Sequence, residues 1–229
     1  MANNALIVGA GSGLSASLAR RFTTDGMKVA LAARDPGKLA ALCSETGAVA
    51  FGCDATQPDQ VTKLFDDAIA ALGQLDVVVF NPSARAGGPT TELDPAAVLR
   101  ALTISAFGGF LVGQAAARHM LPRRAGAILF TGASASVKGY SQSAAFAMGK
   151  FALRGLAQSM ARELSPQGIH IAHFVIDGGI RSAARVDPAD RPDSLLDPDA
   201  IAETYLHVVK QHRSAWTWEV ELRPWVERF

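Results

Sequence analysis

Between the apolar run Ala5–Val8 and a segment that repeats Leu14, Leu18 and Phe22 on one helical face lies Gly9-Ala10-Gly11-Ser12-Gly13-Leu14-Ser15. Glycines at a strand-to-helix junction let the chain turn tightly and bring backbone amides onto a phosphate at the helix N-terminus. The spacing departs from G-x-G-x-x-G, because Leu14 stands where the last glycine would be. Gly9 and Gly13 fit G-x-x-x-G-x-G, but its third position is Ser15. A ligand-free glycine turn is the alternative; the position after the first strand favours phosphate binding, with Gly9, Gly11, Ser12, Gly13 and Leu14 as contacts. A second run, Val29–Ala33, ends where an acid would hold the ribose hydroxyls of NAD. Ala33 offers none and Arg34 follows, a guanidinium matched to a 2′-phosphate. The pair points to NADP(H) in preference to NAD(H). Asp35 is a rival acid, explained more simply as a helix cap before Pro36. Asp54-Ala55 and Asn81, after the third and fourth strands, stand where an adenine edge and the cofactor-side backbone would pass. Both Asp54 and Asn81 are also ordinary turn formers. Further on, Phe146 and Lys150 are four apart and share a helix face. Lys150 stands among Ala147, Met148, Gly149, Phe151 and Ala152, apolar surroundings for a charge unless it has a partner.

The elements that would carry these residues alternate. Strands are expected at 5–8, 29–33, 48–53, 76–80, 127–130, 169–176 and 216–222. Helices are expected from Leu14, from Asp35-Pro36, and over 58–72, 95–119, 143–164 and 198–211. That order implies one doubly wound parallel α/β sheet in a single domain spanning 1–229, with ligands at the carboxyl ends of the strands. Residues 181–197, rich in arginine, aspartate and proline, read as a loop over the site. Arg181 and Arg185 in it would either clamp an anion or the cofactor, or stand solvated.

The 229 residues are 49% apolar and 19% charged, enough for a substantial core and unlike a disordered chain. A formal charge of +1 argues against a general nucleic-acid binder. No uninterrupted apolar run approaches the ~20 residues of a membrane span, and Met1-Ala2-Asn3-Asn4 has no basic leader region. Cys43 and Cys53 form no CxxC pair. These features lead to the expectation of a cytoplasmic protein. The five histidines show no metal-ligand spacing, and His170 and His173, on one face of the sixth strand, read as packing. The absence of a G-x-S-x-G elbow speaks against a serine hydrolase.

Taken together, Val8–Gly13, Cys53-Asp54-Ala55-Thr56, Phe80-Asn81-Pro82-Ser83-Ala84, Gly113-Gln114-Ala115-Ala116 and Phe146-Ala147-Met148-Gly149-Lys150 resemble the short-chain dehydrogenase/reductase superfamily from Leu6 to about Ile180. The resemblance implies a seven-stranded Rossmann fold, a nicotinamide cofactor contacted also near Ile180, and a homodimer or homotetramer. It implies a tyrosine acid, a lysine four residues later, an earlier serine and an asparagine. Lys150 matches the lysine. Phe146 stands at the tyrosine, Ser105 at the asparagine, and Ala133 at the serine, with Ser134 and Ser136 close by. Ile176-Asp177 replaces the usual Pro-Gly. A positioned acid is worth about 10²–10⁴ in rate, so losing it disfavours ordinary ketones. Tyr140, in the preceding loop, is a candidate substitute donor, whereas Tyr205 reads as packing. The expectation is an NADP(H)-dependent oxidoreductase with an incomplete catalytic set, acting on a carbonyl, imine or activated alkene. The rivals are a non-catalytic cofactor sensor or partner subunit, and a lyase or isomerase on the same fold.

Overall fold

Strands whose residues are apolar without alternation need cover on both faces, and β1 (Asn4–Val8) is buried at every position. In the computed structural model, which describes residues 3–227, it lies in the interior of one parallel sheet. The others are β2 (Lys28–Ala33), β3 (Val49–Gly52), β4 (Val77–Phe80), β5 (Gly126–Thr131), β6 (Ile169–Ile176) and β7 (Glu219–Leu222), in the order β3-β2-β1-β4-β5-β6-β7. Leu6 pairs with Ala30 on one side and Val78 on the other, which fixes the register at the centre. The seven-stranded α/β fold expected from the sequence is present.

Alternate side chains of each strand feed two apolar layers. Ile7, Leu31, Val79, Leu129 and Phe174 face α1 (Leu14–Thr24), α2 (Ala40–Thr46) and α7 (Pro198–Val209). Leu6, Val78, Ile128, Phe130 and Ile171 face α3 (Pro58–Leu72), α5 (Gly108–Met120) and α6 (Ala144–Leu164). The chain builds outward from β1 to β3 and then returns to β4. This reversal opens a crevice at the carboxyl ends of β1 and β4. Aspartate side chains start two helices. Asp94 accepts from Ala96 and Ala97 N–H at α4 (Pro95–Leu102), and Asp197 accepts from Asp199 N–H at α7.

Several boundaries differ from the sequence reading. The helix expected over 95–119 is α4 and α5 joined by a π turn, Thr103–Phe107, with Ser105 buried at its centre. Asp35 caps a 3₁₀ turn, Pro36–Leu39, before α2 begins. The third strand is shorter than 48–53, α7 stops at Val209, and β7 begins only at Glu219. Trp216 stacks instead on His170, rings 4.6 Å apart. His170 and His173 are three apart on a strand and therefore face opposite layers, not one. Pro95–Arg123 is long and apolar enough, by length and composition, to cross a membrane, contrary to the expectation from uninterrupted runs. In this fold it is a covering helix, with Val112, Ala116 and Met120 packed in the second layer. Met1 and Ala2, where the leader was sought, lie outside the described residues.

Gly9 takes φ +81°, and a Cβ there would stand 2.7 Å from the Pro82 ring and backbone. At Gly11 a Cβ would meet nothing within 4 Å. Gly9→Ala is expected to lower the unfolding free energy by roughly 2–3 kcal/mol in urea titrations. Gly11→Ala should unfold at an unchanged midpoint, and equal losses for the two would contradict this backbone geometry.

Candidate active site

The turn after β1 is held open by its own hydrogen bonds. Gly9 and Ala10 N–H both donate to the Ala32 carbonyl at 2.9 Å. Ser15, at the position where a third glycine was sought, donates its hydroxyl to the Gly9 carbonyl at 3.2 Å. Asn81 Nδ2 donates to Ser15 Oγ at 2.7 Å, tying the β4 loop to the start of α1. Gly13 caps α1 without a side-chain bond, and no acid occupies the first turn, so the positive helix end faces outward unopposed.

This turn forms one wall of a cleft of about 1230 Å³. Gly9, Gly11, Ser12, Arg34, Asp54, Ala55 and Asn81 all line it. Among the described residues Arg34 forms no ion pair, whereas neighbouring Lys38 lies 3.5 Å from Asp35. Asp54 is committed to a turn, its Oδ1 accepting from Thr56 N–H at 3.0 Å and the Thr56 hydroxyl at 2.8 Å. The open space at Gly11 and Gly13, the bare helix end and the Arg34 cation fit a phosphorylated dinucleotide.

A smaller cavity of about 480 Å³ adjoins it, with Asn81 and Ser83 lining both. Here lie Leu14, Ser134, Phe146, Lys150 and Ile180. Lys150 is only 2% exposed, and its Nζ donates to the Thr131 carbonyl at 2.8 Å. Burial, helped by the Arg85 charge, pulls its pKa down to about 8. Phe146, one turn earlier on α6, has its ring 6.0 Å from Lys150 Nζ. Arg85, which the sequence reading passed over, places its guanidinium 4.0 Å above that ring. Its only sequence signal was its place in the loop after a central strand.

Most of the other expected residues fall outside the cavities. Ser105 is buried, its Oγ accepting from Ala84 N–H at 3.3 Å, and it packs against Gly149. Ser136 is equally buried and accepts from Ala133 N–H. Tyr140 is 48% exposed and lines neither cavity. The Tyr205 hydroxyl shares a 2.8 Å hydrogen bond with Thr131 Oγ1 inside the core, where desolvation drives its pKa up. Arg181, half-buried, is not free to clamp a ligand: it bonds Asp187, Asp193 and Asp197 within its own loop. Arg185 lines the smaller cavity. Asp177, at the end of β6, is buried between Lys138 at 3.1 Å and Arg223 at 3.3 Å. His173 Nδ1 lies 3.1 Å from Glu219, and burial pushes its pKa down to about 4.

The profile of the family described as short chain dehydrogenase matches residues 3–189. The chain belongs to that family. It is 29% identical over 178 residues to short chain aldehyde dehydrogenase 1 of Euphorbia lathyris, a match covering 73% of this chain. That alignment spans 60% of the relative's length. A crystal structure of a short-chain dehydrogenase from Rhodopseudomonas palustris superposes with TM-score 0.85 at 36% identity, covering 97% of this chain and 99% of the other. A metagenomic short-chain oxidoreductase in complex with NADP gives TM-score 0.83 at 27% identity, with 97% of each chain covered.

The buried lysine has a measurable pH signature. An unfolded chain keeps the Lys150 proton to about its ordinary 10.5, while the fold releases it at about 8. Between those values unfolding takes up a proton, so this group makes stability rise with pH. The unfolding free energy of the wild type relative to Lys150→Met should therefore climb by on the order of 3 kcal/mol from pH 8 to 10.5. Urea titrations at half-unit steps measure it, and parallel profiles would refute the depressed pKa.

Proposed function

We propose that this short-chain dehydrogenase is an NADP(H)-dependent oxidoreductase in which Phe146 occupies the place of the general acid. The reading rests on one observation: Lys150 and Phe146 share a cavity lined by neither tyrosine. NADPH, when bound, supplies the hydride, and the protein's part is to hold and orient the reactants. Arg34 would take the 2′-phosphate, and the turn from Gly9 to Leu14 the pyrophosphate. Lys150, steered by the Thr131 carbonyl, would hold a ribose hydroxyl. Ser134 offers a hydroxyl to the substrate, and the Phe146 ring excludes water without giving up a proton. Such a site suits an acceptor with its own electron sink, an activated alkene or an imine, better than a simple ketone.

Leu99, Phe107, Phe110, Met148 and Phe151 stand exposed on α4, α5 and their junction and on neighbouring α6. An apolar face of this kind supports assembly into a homodimer or homotetramer.

Arg34→Ala should weaken NADPH at least tenfold, the size of a lost charge-assisted contact, and NADH hardly at all, read from quenching of tryptophan fluorescence. Equal weakening would remove the 2′-phosphate assignment. Phe146→Tyr should raise NADPH consumption with ketones roughly 10- to 100-fold, within the range of a restored acid. A folded variant without that gain counts against the position given to Phe146. NADPH binding with no consumption across enones, imines and quinones would favour a sensor instead.

A further inference from the structure

The smaller cavity is unusually one-sided in charge. Arg85 arrives from the loop after β4, Arg185 from the loop after β6 and Lys150 from α6, and no aspartate or glutamate lines the space. Arg85 and Arg185 are themselves exposed at its mouth, whereas the half-buried cations elsewhere have carboxylates. Arg123 meets Asp76, Arg154 meets Glu219, and Lys138 meets Asp177. The contrast is sharpest within residues 181–197, where Asp187, Asp193 and Asp197 all go to Arg181. No ion pair is formed by Arg85 or Arg185 among the described residues. Both are nonetheless positioned. The Arg85 guanidinium rests on the Phe146 ring at 4.0 Å, an arrangement that leaves its edge N–H groups free to donate. Ser182 and Arg185 exchange backbone hydrogen bonds of 2.8 and 3.0 Å, and the Arg185 Nη1 approaches Gly179 so closely that a Cβ there would be 3.0 Å away.

We propose that this cavity binds a substrate bearing a carboxylate, held by Arg85 and Arg185 on the Phe146 side of the cleft. Two guanidinium forks recognise a planar anion with paired, charge-assisted hydrogen bonds. Three cations around one small space also raise the local potential for an incoming anion. Ser83, Ser134 and Ser182 line the same space and add neutral donors. The inference rests on the oxidoreductase reading and narrows its acceptors to acids.

Benzoate and its neutral isostere benzamide test the idea in protein saturated with NADPH, followed by the fluorescence of the bound nicotinamide. Benzoate should bind at least tenfold more tightly than benzamide. Arg85→Met and Arg185→Met should each weaken benzoate tenfold or more, leaving benzamide and NADPH affinity unchanged. Urea unfolding confirms that the variants remain folded. Equal affinity for the two probes overturns the proposal. So does a matched loss of NADPH affinity, which would assign the arginines to the cofactor. Should NADPH itself fail to bind, the oxidoreductase reading falls. Calorimetry of benzoate on the protein alone then decides the anion site separately, with heat lost in both variants supporting it and no heat overturning it.

Discussion

A lysine ammonium has been taken almost wholly out of water and given a backbone carbonyl, not a carboxylate, for company. Removing a charge from solvent costs several kcal/mol unless the surroundings compensate, and one neutral acceptor compensates only in part. The neighbourhood of Lys150 follows from that constraint. Thr131 must present its carbonyl from the end of β5, and its hydroxyl is fixed in turn by Tyr205 from the opposite layer. Gly149 must lack a side chain because Ser105 packs there. A carboxylate close by would have relieved the penalty, but would also have cancelled the positive field in the cleft.

The distribution of the remaining charges follows the same logic. Several carboxylates are assigned to particular cations away from the two cavities, as Arg181 and Arg154 illustrate, while Asp35 and Asp54 line only the larger cavity. Net charge near neutrality therefore hides a strong local asymmetry. Electrostatic work on a bound anion depends on that local arrangement and hardly at all on the total.

What the sequence disclosed was whatever local chemistry determines. The glycine turn, the capping aspartates and the apolar strands are decided within a few residues, and they could be placed from composition and spacing alone. Arg34 was legible for the same reason, since it directly follows a strand. Arg85 was not, because its meaning comes from a ring sixty-one positions away in the chain. Arg181 and Arg185 look alike in sequence, and only the folded loop separates the neutralised one from the one facing the cavity. The π turn also escaped detection, because adding a residue to a helix changes which side chain points inward without altering the apolar pattern much. The opposed faces of His170 and His173 follow from strand parity.

Asp177 joins three segments of the chain. It sits where β6 gives way to the loop over the site, and it is bonded both to Lys138 after β5 and to Arg223 beyond β7. Pro224 crowds Gly178 beside it. The stretch after β7 is thereby fastened to the end of β6 by a buried carboxylate, beside the Asp177 N–H bond to the Leu222 carbonyl at 2.8 Å. This brings Arg223 to the end of β6, although it lies forty-six positions beyond Asp177 in the chain.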